Sequence, residues 1–431
     1  MYRPTGLTKY LPRFGWEPTV LTVEGTEGAT EDHTLLGKLP PQVRVVRTPY
    51  LHVAGWEKPA AGGLGSAGLL NPQRQGRLRL QLNAAVRSVA RWVRYVLYFP
   101  DDAVGWIPFG LSRALGLVLG RQYDLVYTTS LPRSTAVMGL ALRKLSGIPW
   151  VAEFRDPLYL PRDVQPLFHQ DSCPARQNLE EKLQALIFQT ADTVVAVTSG
   201  YAEELVRVHK LSPGKVAVVT NGFDEDDFNS DHHVEGNSLA PGFVNLTHFG
   251  TIYPRFSGKF FPALLDLVRD CPQVKQRLRI HIIGGPDDEV LQYSRQPDLK
   301  DMVSVRGLLN HSDALKAMRS SDALLLFYAH PYISQVCVPG KVYEYLRVGL
   351  PIFAITFEGG LKKLIEDGNA GWAVHPEDTP GLKNTLRELA FGDPEKRRQR
   401  RASLDFVAQF QYDHLAANLA RIFERVARHA R

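Results

Sequence analysis

Cysteine is scarce in this chain. Among 431 residues only Cys173, Cys271 and Cys337 occur. Three thiols at wide separations support neither a disulfide framework nor a cysteine-based metal centre, and a reducing compartment is expected. Long apolar runs are missing as well: Arg113 interrupts the best candidate, residues 106–120, so no membrane-spanning helix is expected. No apolar signal-peptide core follows Met1. The G-x-S-x-G elbow, the P-loop and H-E-x-x-H are all absent, so serine hydrolase, P-loop ATPase and zincin chemistry lack their parts. The net charge of +6 would suit nucleic acid, acidic lipid or phosphorylated substrates. No aromatic-and-basic pattern of a nucleic-acid module accompanies it, and nucleic acid is not expected as a partner.

What the chain does have is a globular composition, 44% hydrophobic and 22% charged, in a length that suits two domains of about 200 residues each. Short apolar strands alternate with helical segments. Strands are read at residues 18–23, 43–48, 124–129, 150–154, 193–197 and 216–220, then again at 244–249, 278–283, 303–306, 323–328, 351–356 and 370–375. Such alternation predicts an α/β fold of parallel sheets with helices on both faces. Ser134 and Ser199 are placed to cap helices, and Asn310 or Ser312 to cap a third. Residues 225–242 are polar and without period, and read as the connection between the halves. Asp224, Asp226 and Asp227, with His232 and His233, invite a metal reading, but an acidic run in a linker is ordinarily just solvated, and no metal is expected.

The stretch V-C-V-P-G-K-V-Y-E-Y-L-R-V-G-L-P-I-F-A-I-T at 336–356 organises the rest. It follows a buried strand, opens a short helix near Gly340, closes it at Gly349 and enters the next strand. That places the helix N-terminus at the carboxyl edge of a parallel sheet, where ligands bind in open α/β folds. Lys341 and Glu344 lie in its first turns, three residues apart. A cation beside a helix N-terminus suits phosphate, and a carboxylate suits sugar or ribose hydroxyls; a surface ion pair would use the same spacing.

Here K-V-Y-E-Y-L followed by G-L-P-I resembles the donor-site helix of GT-B glycosyltransferases of the broad family 4 group. The resemblance extends to L-T-K-Y-L-P-R-F-G-W-E-P-T-V-L-T-V near the start, V-A-E-F-R-D-P-L, V-T-N-G-F-D and F-G-T-I-Y-P-R, and so covers nearly the whole chain. It implies two Rossmann-like domains facing across a cleft: an acceptor domain at 1–224, a linker at 225–242, a donor domain at 243–410, and a last helix, 411–431, returning to the first domain. It implies a nucleotide sugar, UDP- or GDP-linked, as donor substrate, no tightly bound cofactor, retention of configuration and no metal. The acceptor implied is a glycan or lipid-linked hydroxyl, in envelope or exopolysaccharide synthesis, with the protein cytoplasmic or peripheral at the inner membrane face. A nucleotide-sugar epimerase of the same architecture and a degenerate binding or scaffold protein remain open beside it. In the resembled family a first strand and a Gly-rich loop precede the helix that ends near Gly15. Neither is seen here, and the expectation is that the natural protein begins upstream of Met1.

The resemblance also distributes roles. Gly250 and Thr251 end a strand where the backbone can approach a ligand. Arg255 and Lys259 follow and match a basic pair that clamps the donor diphosphate. Gly284, with Gly285, borders a nucleobase or forms an ordinary turn. Gly340, Lys341 and Glu344 serve the donor. Glu344 matches the second glutamate of the family's E-x7-E, while the first falls at Val336, so one polar contact to the donor sugar is lost. In the other half Glu153 and Asp156 stand at the carboxyl end of a strand with Arg155. Either carboxylate could orient or deprotonate an acceptor hydroxyl, and Arg155 with Asp156 could equally form a structural pair. The segment opening at Arg74 and closing at Phe99 carries Arg77, Arg79, Arg87, Arg91 and Arg94 among apolar and aromatic residues. It fits an anionic membrane surface or an ordinary packed helix. Gly63, Gly65 and Gly68 match a dinucleotide fingerprint, but no strand precedes them, and a flexible loop is expected.

Overall fold

Residues 2–25, 37–51, 97–120, 123–161, 164, 174–229 and 239–430 are described by a computed structural model of the chain. The basic segment 74–99, except its last three residues, the loop at Gly63, Gly65 and Gly68, and half of the polar connection, residues 230–238 with His232 and His233, lie outside them. The chain divides into two units, Glu17–Val195 with Phe423–Arg431, and Met1–Trp16 with Ala196–Ile422.

In the first of these, strand β1 (Thr19–Val23) pairs in parallel with β2 (Arg44–Thr48). A separate parallel sheet holds β3 (Val126–Ser130), β4 (Trp150–Phe154) and β5 (Thr193–Ala196) in that order. β4 is wholly buried, whereas β1 and most of β3 are only partly covered. Trp150 fixes the helix Arg133–Ser146 above β4. A Cβ on Gly139 of that helix would fall 2.4 Å from the indole, and the indole N–H donates to Thr128 Oγ1 at 2.9 Å. Ser134 does not cap this helix. It lies inside the first turn, and Asp101, 33 residues earlier, accepts from its backbone N–H and hydroxyl and from the Arg133 N–H. A carboxylate at a helix N-terminus satisfies orphan donors and favours the dipole. The run Asp102–Leu119 is long and apolar enough to cross a membrane by length and composition, Arg113 notwithstanding. Its Ala114, however, packs inward with Leu142 and Ile148.

The other unit begins with the helix Tyr2–Tyr10 and a tight turn to Gly15, which ends it at φ +78°. Arg3 donates to the carbonyls of Val219 and Thr220, Tyr10 Oη donates to Asp224 at 2.7 Å, and Lys9 pairs with Asp224 and Asp226. Two of the aspartates weighed as cation ligands are therefore neutralised by a lysine. After the short strand β6 (Val216–Val218) come β7 (Val244–Phe249), β8 (Leu278–Ile283), β9 (Val303–Arg306), β10 (Ala323–Tyr328), β11 (Ile352–Thr356) and β12 (Gly371–Val374). They form one parallel sheet in the order β12-β11-β10-β7-β8-β9. The near-continuous apolar runs of β8, β10 and β11 follow from burial on both faces. The chain moves outward through β8 and β9, then returns to the other side of β7 to lay down β10. The switch point lies between β7 and β10.

The helices Phe260–Asp270 and Lys341–Val348 cover this sheet. Phe260 meets Phe327 edge-on at 5.1 Å and Phe261 stacks on Tyr293 at 5.4 Å; such pairs add about 0.5–1.5 kcal/mol beyond burial. Helix Ser199–Arg207 is capped by Thr198, whose Oγ1 accepts from Tyr201 N, one position before the expected Ser199. Asn310 caps His311–Arg319 through Asp313 N. The last helical stretch is broken into Pro394–Gln399, Leu404–Ala408 and Tyr412–Ala430.

Candidate functional site

Beside the β7/β10 switch point, the carboxyl ends of β7 and β8 are drawn together by glycine. Gly250 follows β7 at φ +99° and Gly284 follows β8 at φ +150°, and a Cβ on Gly284 would meet the Gly250 carbonyl oxygen at 2.2 Å. Gly250 N donates to Ile283 O at 2.8 Å and Ile252 N to Gly285 O at 2.9 Å, so the pairing of β7 with β8 runs past both strand ends. Thr251 is exposed at this edge. On the opposite side β7 is pinned by Tyr345, whose buried hydroxyl accepts from Phe249 N at 3.0 Å. Low dielectric raises the Tyr345 phenol, which keeps it neutral.

Lys341 opens the helix Lys341–Val348 with Gly340 as N-cap. Its ammonium crosses the switch point and donates to Phe249 O at 2.7 Å. A Cβ on Gly250 would lie 2.8 Å from Nζ, so glycine there leaves room for the ammonium. Burial brings the Lys341 pKa down to about 8, against a partial pull upward from Glu344. A partly buried ammonium whose one hydrogen bond among the described residues is to a carbonyl is poorly compensated, and an anion would relieve it. His248, fully buried one residue before Phe249, is pushed well below the ordinary imidazole range by burial and by the Lys341 charge. It stays neutral and adds no second charge.

Glu344, one turn along, makes no ion pair with Lys341 among the described residues. Its Oε1 instead accepts from His311 Nε2 at 2.9 Å, each side chain 20% exposed. Sequence reasoning missed His311: the residue begins a helix 33 positions away, and only the packing of the two helices discloses the partner. Val336, at the position of the resembled family's first glutamate, is buried with its carbonyl accepting from Thr198 Oγ1 at 2.5 Å. The substitution is a built apolar position.

Arg255 is exposed, forms no ion pair among the described residues, and is held at φ +67°. A long side chain in the left-handed region costs about 1 kcal/mol or more, and such residues cluster at ligand sites. Lys259 lies at the start of the next helix and pairs with Glu377 at 2.8 Å, both half exposed. The structure thus brings Gly250, Gly284 and Lys341 together at the strand ends, with Glu344 one turn along the Lys341 helix and Thr251 and Gly340 on the same strand and helix ends. Arg255 stands on the loop that leaves it, and Lys259 is engaged elsewhere.

In the unit built on β3 to β5, Glu153 is completely buried and its Oε2 accepts from Thr129 Oγ1 at 2.8 Å. Asp156 is exposed just past the end of β4. Protein crowding raises its carboxyl above the usual range, with the Arg155 charge opposing. Arg155 itself donates to Ser130 O and Leu131 O. Of the two carboxylates expected there, only Asp156 meets solvent. Among the described residues no group of three or more His, Cys, Asp or Glu could hold a metal ion.

Residues 69–227 match the model of Glycosyltransferase Family 4 and residues 255–390 that of Glycosyl transferases group 1. The D-inositol 3-phosphate glycosyltransferases of Streptomyces avermitilis and Stackebrandtia nassauensis are each 25% identical to it. The first aligns over 55% of this chain and 52% of its own, the second over 53% of each. The chain spans about half the length of the curated relatives it matches. Among solved structures, sucrose-phosphate synthase from Thermosynechococcus elongatus superposes with a TM-score of 0.59 at 14% identity, covering 98% of this chain and 92% of that one. Anabaena HepE in complex with UDP gives 0.58 at 14%, covering 95% and 100%. With parallel sheets in two units and both family descriptions in order along the sequence, the chain carries glycosyltransferase domains, of Glycosyltransferase Family 4 and of Glycosyl transferases group 1, on an α/β fold that matches GT-B glycosyltransferase structures.

Proposed function

We propose that this protein transfers a glycosyl group from a UDP- or GDP-sugar to a hydroxyl of a glycan or lipid-linked acceptor, with retention of configuration and without a metal. The observation that carries the reading is the partly buried Lys341 ammonium, which lies at the switch point against the Gly250 turn and whose one hydrogen bond among the described residues is to the Phe249 carbonyl. The donor diphosphate settles there against Lys341 and the Gly250 turn, and Arg255 closes on it from the adjoining loop. In the transfer, the bond from the anomeric carbon to the diphosphate oxygen breaks as the acceptor oxygen bonds to that carbon. The acceptor proton passes to the departing diphosphate. Charge develops on the leaving phosphate, where pre-placed cations act most strongly. Glu344 accepts from hydroxyls of the donor.

Anabaena HepE has been solved with UDP-glucose, and the curated relatives carry glycosyltransferase names, both of which support this donor class. The setting we assign is the inner face of a membrane, in cell-envelope or exopolysaccharide synthesis. The arginines of segment 74–99 support it. The test is calorimetric titration of a panel of UDP- and GDP-sugars into the wild type and Arg255→Ala, followed by transfer assays with and without EDTA. Selective binding weakened in the variant, and transfer indifferent to EDTA, are expected. No binding of any nucleotide sugar would overturn the reading, and donor conversion without acceptor would redirect it to epimerase chemistry.

A further inference from the structure

The motif K-x-x-E places an ammonium and a carboxylate three residues apart on one helix, a spacing at which the two can pair with each other. They do not pair here. Lys341 Nζ points to Phe249 O, and Glu344 Oε1 is taken by His311 Nε2 at 2.9 Å. His311 is well fixed for this task. It is the first residue of the helix His311–Arg319, whose N-cap Asn310 binds Asp313 N at 2.9 Å, and its ring is four-fifths covered. The edge strand β9 delivers that helix from the far side of β8, and the Lys341–Val348 helix arrives after β10. The His311–Glu344 bond therefore joins segments laid down on opposite sides of the switch point.

We propose that His311 is a positioning residue that holds Glu344 away from Lys341. The lysine then remains available to the donor diphosphate, and the second carboxylate oxygen of Glu344 to donor hydroxyls. The proposal rests on the donor-site reading above and adds to it the residue that keeps the two halves of the motif apart. Among the described residues the imidazole is the one hydrogen-bond partner of the Glu344 side chain, and without it the carboxylate is left to the ammonium on its own helix. An enclosed cation and a partly enclosed carboxylate attract strongly when water is excluded. Glu344 would then turn to Lys341 and compete with the diphosphate for it. The low pKa of Lys341, about 8, agrees with a carboxylate that is near but not paired.

This gives a signature that simple loss of packing does not. UDP is titrated calorimetrically into the wild type, His311→Ala, His311→Gln, Glu344→Gln and the double variant His311→Ala/Glu344→Gln, with thermal unfolding as the folding control. His311→Ala should weaken UDP binding about tenfold, the scale of one charge-assisted hydrogen bond. His311→Gln, which still offers an N–H, should recover most of that loss. The double variant should bind UDP more tightly than His311→Ala alone, because an amide does not sequester the ammonium. With a donor sugar and acceptor in hand, KM for donor should rise while kcat stays within about twofold. Wild-type affinity in His311→Ala would overturn the role of His311 and leave the donor-site reading standing. So would a double variant no tighter than the single one. A wild type that binds no nucleotide diphosphate would remove the donor-site reading and this proposal with it.

Discussion

The two sheets of this protein are built from the same kind of strand but finished differently. The one running from β12 to β9 is continuous, six parallel strands with β8, β10 and β11 almost wholly buried. In the other unit, β1 and β2 stand in a sheet separate from β3, β4 and β5, and β1 and β3 are only partly covered. The continuous sheet has a switch point at which two strand ends and a helix N-terminus converge. There a partly buried ammonium lies against the Gly250 turn, the Gly284 turn touches Gly250, and a carboxylate is held one helical turn along from the ammonium. The other sheet offers an exposed carboxylate, Asp156, just past the end of the fully buried strand β4. A rigid, fully paired sheet fixes several functional groups against each other, whereas a partly covered one presents groups singly.

The largest expected effect breaks the better-made region at its tightest approach. In Gly284→Ala the added Cβ would sit 2.2 Å from the Gly250 carbonyl oxygen at φ +150°, so the strand ends must part. A loss of about 3 kcal/mol or more in urea unfolding is expected, with nucleotide binding abolished. Replacing β3 residues on the partly covered side, as in Tyr127→Phe, should cost far less, about 0.5–1 kcal/mol.

Next comes the charge at the switch point. The Lys341 pKa is about 8 in the folded protein and 10.5 as the ordinary value. Between these limits the unfolded chain binds the extra proton, so stability should rise with pH across that window. Lys341→Met should abolish the rise and be more stable near neutral pH. It should also bind UDP about a hundredfold more weakly, since an anion loses its buried partner. In the wild type, UDP affinity should fall as pH passes through about 8, a trend absent in the variant. Isothermal titration at stepped pH reads both.

Arg255 separates strain from function. Arg255→Gly relieves the left-handed backbone but raises unfolded-chain entropy, and net stability should stay within about 0.5 kcal/mol. Arg255→Ala keeps the strained conformation, yet both should lose donor affinity equally, about tenfold. The smallest effect is expected at Lys259. Its exposed pair with Glu377 should be worth no more than about 0.5 kcal/mol, and Lys259→Ala should change donor affinity about threefold or less.

Much of the continuous sheet was legible in advance. The apolar runs at Val244–Phe249, Leu278–Ile283 and Val303–Arg306 are strands with those bounds. Periodicity is decisive where a run is long and apolar and ends in Gly or Pro. The helix Pro331–Val336 was less legible, because six residues beginning with proline resemble a loop. Helix caps were legible only when local: Asn310 caps its own helix, whereas Asp101 caps one 33 residues later. Lys341 and Glu344 were visible as a motif. The direction each takes was not, since Phe249 and His311 are distant in sequence.

The sequence by itself determined the α/β alternation, the glycines at the strand ends and the residue types at the donor helix, because each is written in local pattern and backbone freedom. The tertiary structure decided which carboxylate of the Glu153 and Asp156 pair meets solvent. It also decided that Lys259 is engaged with Glu377, and that a histidine keeps the lysine and glutamate of one motif apart. Those outcomes depend on which segments the sheet order brings side by side, and no local pattern specifies that neighbour.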